Sequence, residues 1–442
     1  MIHRSNFIFR LFCITFWIVT CSPFVMEEFL TPLAAIRSYI LILCDALIVM
    51  LGLMTLRDRR QVWLIVSFFA LALVSTILIN DIGWLNFFNG SRLFFGMLFV
   101  PSILMYLFGC DEKDRYRVSL DKQMFVFLCL QAFCVTWQFF KYGAGDHGGG
   151  SMGNGNSGVT STLIILLAYY FTTRDFAPDD FKKSLWQNRK YLLLIFPVAL
   201  NETKISFILL LIFILLLYRF NGKSMVKLVL SFPLIIGVGI LFQFAYDAAV
   251  GGGGLDMGDK EEIREYLFGN DMSENIGNMQ DLVDADLLGE DVDGELAVQD
   301  LQRFIKIQMT PVAVAETPGG TFFGAGLGHF KGGTRVEKTE FYKQNEWLIT
   351  GTVNIFMFLY MQLGLLGFVW FTFYLIFLLN FRKKEIPYAA QLKLFLMAVA
   401  IMSIFYNECF QILGFCLVYS FLAIASSAAP LPDKKEKTLQ KI

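Results

Sequence analysis

Long apolar runs alternate with short polar breaks along most of this 442-residue chain. A bilayer core about 30 Å thick is crossed by about 20 residues of helix. On that measure the runs predict spans near residues 7–26, 33–55, 61–79, 92–109, 123–140, 157–173, 187–200, 204–220, 226–246, 352–380, 390–407 and 411–428. That makes about twelve crossings, of which the seventh is short. The apolar stretch from Lys190 therefore turns around a polar tip, Asn201-Glu202-Thr203-Lys204, near one face of the membrane. One stretch breaks the alternation altogether. Residues 247–351 form a loop far above the usual length, acidic from 256 to 300 and glycine-rich from 319 to 333. Inside it, Leu301, Phe304, Ile305 and Gln308 predict an amphipathic helix over 298–309. The expected organisation is all-α and polytopic. Spans one to nine lie in 1–246, the large loop in 247–351, spans ten to twelve in 352–430 and a tail in 431–442.

Composition agrees with the pattern. Hydrophobic residues make up 56% and charged residues 17%, below the roughly 25% of soluble domains. Phe alone contributes 47 residues, which suits lipid-facing helices. The first run is long enough to span and lacks a small-x-small cleavage site, so it reads as a span and not as a cleaved leader. A net charge of −1 says nothing about nucleic acid; its distribution says more. Basic residues collect in alternate loops: Arg4 and Arg10; Arg57, Arg59 and Arg60; Lys113, Arg115 and Arg117; Lys182, Lys183, Arg189 and Lys190; Lys223 and Lys227; Arg382, Lys383 and Lys384; Lys434, Lys435 and Lys437. The positive-inside rule then puts both termini in the cytoplasm and the large loop outside. The eight cysteines fall mostly inside apolar runs with no zinc-ligand spacing, and the large loop has none, so neither a metal centre nor a disulfide module is expected. The carboxylates Asp281, Asp284, Asp286, Glu290, Asp291 and Asp293 miss the ordered calcium-loop pattern and read as a solvated face.

Several residues carry candidate chemistry. Lys204 lies at the membrane-embedded tip, where a cation suits a phosphate; snorkelling to the interface is the plainer reading. Glu202 beside it either pairs with it or serves as a proton acceptor. Arg92 opens the predicted fourth span on the same outer face, as a phosphate ligand or an interfacial anchor. The loop 143–158 reads GAGDHGGGSMGNGNSG, and its glycines allow close backbone approach to an anion or simply make a flexible connector. Asn154 and Asn156, directly before a span, suit sugar hydroxyls and helix caps alike. His147 and His329 both fall outside and are either proton acceptors or ordinary surface histidines. The stretch Gly324-Ala325-Gly326-Leu327-Gly328-His329 is not a nucleotide-binding loop, because no βαβ pattern or P-loop lysine accompanies it. It reads as tight turns near the membrane surface. Asn407 and Glu408 form a polar break between the last two spans.

Four short motifs, in order, give a resemblance. Gly153-Asn154-Gly155-Asn156 is similar to a Gly-Asn-Pro-Asn element before a span. Thr203-Lys204-Ile205-Ser206 stands where a Ser-Arg signature enters a span. Gly324-Ala325-Gly326 is similar to a Gly-x-Gly element late in the large loop. Asn354, followed by Gly364-Leu365-Leu366-Gly367, is similar to a His-Asn element with its Gly-Leu-x-Gly. Together with the layout, they make the chain resemble the O-antigen polymerase and O-antigen ligase superfamily of bacterial envelope glycan enzymes, which implies a GT-C-like membrane fold. One departure matters. Val353 replaces the histidine thought to be catalytic in the ligases, which favours a polymerase, and Lys204 for arginine keeps charge but loses the bidentate fork.

The resemblance implies a reaction without metal or other cofactor. A glycan moves from undecaprenyl diphosphate to a sugar hydroxyl of another carrier-linked repeat unit, at the outer face of the bacterial inner membrane. The lipid bilayer and possible contact with a chain-length regulator complete the expected partners. A cation must stabilise the leaving diphosphate, for which Lys204, Arg92, Arg335 and Arg303 are candidates. A base must accept the hydroxyl proton, with His329 and then Glu202 as candidates. Asn154, Asn156, Asn354 and Trp347 are expected to touch glycan, with Phe322, Phe323 and Tyr342 as further stacking surfaces. A ligase acting on another acceptor is the nearer alternative, and a secondary transporter or lipid flippase the more distant one.

Overall fold

The structure, a computed structural model, describes residues 2–143, 148–153, 155–174, 176, 181–201, 204–217, 303–330, 338–349, 353–380 and 389–426. Among these, all regular secondary structure is helical. In chain order the helices are α1 (Ile2–Glu28), α2 (Ala34–Thr55), α3 (Arg59–Leu73), α4 (Trp84–Arg92), α5 (Phe95–Leu107), α6 (Lys113–Tyr142), α7 (Ser157–Arg174), α8 (Phe181–Gln187) and α9 (Arg189–Leu193). There follow α10 (Lys204–Leu217), α11 (Arg303–Ala315), α12 (Gly320–Phe323), α13 (Glu340–Gln344), α14 (Glu346–Ile349), α15 (Ile355–Leu379), α16 (Ala389–Phe405) and α17 (Leu413–Ala425).

Among the described residues, five stretches are long and apolar enough to cross a bilayer: Arg4–Glu28, Ile36–Thr55, Arg59–Ile79, Lys113–Tyr142 and Ile355–Leu379. They coincide with the predicted spans at 7–26, 33–55, 61–79, 123–140 and 352–380. The predicted fourth span, 92–109, meets α5, and α4 precedes it; the two helices are bent by 51° at Leu93 and Phe94, and together they make a sixth candidate. The predicted runs at 204–220, 390–407 and 411–428 meet α10, α16 and α17, which are shorter apolar helices. The run 187–200 is α9 followed by a 3-10 turn, Phe196–Asn201, not a continuous helix. Span 226–246, most of the acidic loop and the tail lie outside the described residues. The amphipathic helix expected over 298–309 is found as α11, which runs on past Pro311 to Ala315.

Local chemistry explains several of these helices. Thr15 and Thr20 sit inside apolar α1 because their hydroxyls donate back to the carbonyls of Leu11 and Phe16, 2.9 and 2.7 Å away. Asp58 caps α3 by accepting from the Arg60 amide at 2.8 Å. The last turn of α3, Val74–Ile79, widens into a π-helix. Such turns are uncommon and frequently mark functional sites.

The core forms around α7, which is buried along nearly its whole length and packs against α6, α10, α16 and α17. A helix enclosed on every side must be apolar or internally satisfied. Here Thr162 and Thr173 donate to the carbonyls of Gly158 and Tyr169, and the Tyr169 ring lies against Phe213 and Phe395 at centroid distances of 5.1 and 4.3 Å. Lipid-facing positions remain apolar: Trp63, Leu78, Phe140 and Phe373 are all exposed. At one end of the bundle, Arg4 donates to the Met54 carbonyl, and Arg60 and Asn380 line one groove. Arg4 and the basic stretch 57–60 therefore share that end, with Asn380 beside Arg60. At the other end, Glu28 on α1 meets Lys141 and Tyr142 on α6.

Candidate functional site

Two backbone segments enter the bundle, and both belong to sequence-predicted elements. The first is part of the glycine-rich loop. Residues 148–153 are buried, and their polar groups are met by side chains from α6, α7 and the tip and by a backbone carbonyl of α1. The Gly150 amide donates to Gln138 Oε1 at 2.7 Å, and the Ser151 amide to Gln131 Oε1 at 3.0 Å. Ser151 Oγ donates to the Thr20 carbonyl at 2.5 Å, and Thr160 Oγ1 to the Gly149 carbonyl at 2.6 Å. Asn201, the first residue of the polar tip, donates from Nδ2 to the Gly148 carbonyl at 2.8 Å and to Ser161 Oγ at 3.1 Å. Gly150 has φ +59, and a Cβ there would lie 2.2 Å from Gln131 Oε1, so no other residue fits. The glycines are thus used for close helix contact. Asn156 closes the loop: its Nδ2 donates to the carbonyls of Met152 and Gly153, and its own carbonyl begins α7.

The second segment is the Gly-x-Gly element. Residues 324–329 are buried between the π turn, α4 and a break in α15. That break is at Gly364, with φ +60 and ψ −154. It turns the carbonyls of Met361 and Gln362 away from their own helix ladder. The amides of Ala325 and Gly326 bond to them at 2.6 and 3.1 Å. Ser75 Oγ donates to the Phe323 carbonyl at 2.6 Å, Asn80 Nδ2 to that of Gly324 at 2.9 Å, and Thr76 Oγ1 accepts from the Leu327 amide at 2.9 Å. A Cβ at Gly364 would sit 2.5 Å from the Phe322 carbonyl carbon and oxygen. The last two motifs of the resemblance, Gly324-Ala325-Gly326 and the one holding Gly364, therefore touch through their backbones.

His329 ends this strap, buried to 1% exposure. Its Nε2 lies 2.8 Å from the Ala325 carbonyl, which only accepts, so Nε2 carries the proton. Nδ1 then accepts from Thr339 Oγ1 at 2.6 Å, and Thr339 caps α13. Burial pushes the imidazole down to about 4, against the hydrogen bond to the Ala325 carbonyl, so it is neutral at pH 7. The expectation of a proton-accepting His329 meets a ring whose two nitrogens are both engaged; it staples the strap to α13.

Arg92 lies at the bend between α4 and α5. Its Nε and Nη2 reach one oxygen of Asp45 at 3.0 and 2.8 Å, with Asn89 Oδ1 at 3.5 Å. Asp45 stands well inside apolar α2, so each charge needs the other: an uncompensated charge at such depth costs several kcal/mol. Two residues before Arg92, Gly90 backs onto the Gly328 amide, which puts the bend against the strap. Asn354 is fully buried and caps α15, with Oδ1 accepting from the Met357 amide at 2.9 Å and Nδ2 donating to the Phe405 carbonyl at 3.3 Å. The Ile355 amide donates to the Asn407 carbonyl, joining α15 to the polar break before α17. Trp347 and Tyr342 are half-buried against the core, Phe323 is partly buried, and Phe322 is exposed. Lys204 and Arg303 open α10 and α11, and their side chains lie outside the described residues, as do Glu202, Asn154, Arg335 and His147 altogether.

Sequence reasoning passed over Asp45, Gln131, Gln138 and Lys306. Asp45 was visible as a carboxylate in the middle of an apolar run. Gln131 and Gln138 stand seven apart, two helical turns, on one face of a predicted span. Lys306, on the amphipathic helix of the large loop, is fully buried. The chain matches no protein-family model and no curated protein.

Proposed function

We propose that this chain is a polysaccharide polymerase of the O-antigen polymerase type, with about twelve spans and both termini cytoplasmic. It would join undecaprenyl-diphosphate-linked repeat units at the outer face of the bacterial inner membrane. In the step, the acceptor sugar hydroxyl forms a new bond to the donor's anomeric carbon. The bond from that carbon to the diphosphate breaks, the diphosphate leaves with the electron pair, and the hydroxyl proton passes to a base. The observation that carries the reading is Arg92, a cation held by Asp45 at the bend of a broken apolar helix pair. Beside it lies the buried strap 324–329, in a chain whose glycine-rich loop segment, 148–153, is bonded to the polar tip at Asn201. Arg92 and Lys204 stabilise charge on the leaving diphosphate. Asp45 positions Arg92. With both nitrogens of His329 engaged, Glu202 is the base in this reading.

The test is lipid-linked glycan profiling of a deletion strain complemented with wild type, Lys204→Ala, Arg92→Gln or Asp45→Asn, with membrane levels checked. The expected result is a glycan ladder with wild type and single repeat units with Lys204→Ala and Arg92→Gln. Asp45→Asn should keep a shortened ladder, because the arginine survives without its partner. Equal loss in Arg92→Gln and Asp45→Asn, relieved in the double variant, would make the pair purely structural. Ladders that persist unattached to an acceptor would indicate a ligase. The helix breaks at Leu93, Phe94 and Gly364 also suit a transporter, whose sites lie at discontinuous helices. Glycans unchanged in the deletion strain would turn the assignment that way.

A further inference from the structure

A groove of about 510 Å³ lies between α3 and α15 on the lipid-facing side of the bundle. Trp63 and Ser67 form one wall, Trp370 and Phe373 the other, and Arg60 and Asn380 stand at one end. Its shape is fixed from behind: Trp370 is almost fully buried, and its Nε1 donates to the Leu64 carbonyl at 3.0 Å. Trp63 and Phe373 are exposed, so the groove opens outward.

Its depth identifies the occupant. From Arg60 to Ser67 is seven residues, about 10 Å of helix, and from Asn380 back to Trp370 is ten, about 15 Å. Half of a hydrocarbon core about 30 Å thick is about 15 Å. The groove is therefore about as deep as one leaflet and not two. A spanning helix of another protein would need a seam through both leaflets, whereas a lipid chain needs one leaflet. The polar end sets the sign of the head group. The Arg60 guanidinium has no hydrogen-bond or ion-pair partner among the described residues, Arg59 beside it is exposed, and Asp58 is turned to the Arg60 amide as a helix cap. Asn380 is also exposed there, two residues before the basic stretch 382–384 in sequence.

We propose that this groove binds an anionic phospholipid, with its phosphate on Arg60 and one acyl chain between Trp63 and Phe373. The site lies at the end of the bundle shared by Arg4 and the basic stretch 57–60, away from the strap and from Arg92. It does not depend on the glycan chemistry.

The test uses the full chain in phosphatidylcholine nanodiscs with a trace of phosphatidylglycerol carrying a photoreactive acyl chain. Adducts are expected on 63–67 and 370–377. Arg60→Gln should lower them about fivefold, the effect of one basic residue near a head group. Arg60→Lys should keep most of them, and Arg115→Gln, at an exposed basic residue elsewhere, should leave them unchanged. Equal labelling by a photoreactive phosphatidylcholine, adducts spread over other helices, or no response to Arg60→Gln would overturn the proposal. So would adducts competed away by undecaprenyl phosphate and not by phosphatidylglycerol. If Arg60→Gln fails to fold, the comparison of anionic and zwitterionic probes on the wild-type protein decides alone.

Discussion

Buried at the end of the strap, His329 makes a proton-linked prediction. Its ordinary value of 6.5 falls to about 4 in the folded chain, so between those values the unfolded state binds the extra proton. Folding stability from this group is complete above pH 6.5, declines as pH falls toward 4, and loses no more below that. At 1.36 kcal/mol per unit, up to about 3 kcal/mol is involved. Protection factors of the 324–329 amides, which remove the intrinsic pH dependence of exchange, should therefore fall between pH 7 and pH 5 in the wild type and change far less in His329→Gln. Parallel slopes in the two proteins would remove His329 as the cause. Sequence could place this histidine in the long polar stretch between apolar runs but not beneath a surface, since burial depends on Ala325, Thr339 and Phe341 closing around it. Arg92 was legible as a cation beside an apolar run, whereas its partner in α2 was not. Asp45 lies some fifty residues earlier, and nothing local ties the two. Trp347, read as a stacking surface, is half-buried beside the core. If Trp347→Ala leaves polymer length and yield unchanged, the glycan-stacking role falls.

Helices and their breaks obey different rules of legibility. Apolar run length located α1, α2, α3 with its π turn, α6 and α15, because each reaches the length a bilayer demands. The breaks were not legible, since Gly364 sits in a run as apolar as its neighbours, and Pro101, the residue most expected to interrupt a helix, lies within α5. The interruption at Gly364 comes from tertiary docking of a strap about forty residues earlier, and hydropathy averaged over a window cannot register it. Gly364→Ala should therefore cost about 1–3 kcal/mol or more through the strained φ and the clash with the Phe322 carbonyl. Gly83→Ala, where a Cβ meets nothing within 4 Å, should change little. Thermal unfolding of both variants in detergent checks the pair, and equal midpoints would mean the strap yields easily.

Taken whole, the bundle has two chemically distinct ends. Arg4, Arg60 and Asn380 gather at one, and Glu28, Lys141 and Gly153 at the other. Single cysteines at Arg59 and Asn380 should thus react with a membrane-impermeant maleimide from one face, and a cysteine at exposed Gly155 from the other, in a variant lacking the eight native thiols. Labelling of all three from one face would refute the shared-end arrangement. The enclosure of α7 also bears on synthesis. Its helix holds Ser157, Thr160, Ser161, Thr162, Thr172 and Thr173, too many hydroxyls to rest easily against lipid alone. Two of the helices that cover it, α16 and α17, begin more than two hundred residues later in the chain. At about 5–20 residues per second, a nascent chain waits roughly ten to forty seconds for them. During that interval α7 must be sheltered by α6 and α10 or by the insertion machinery. Ribosome stalling or truncation after α10 should therefore expose it to membrane proteases.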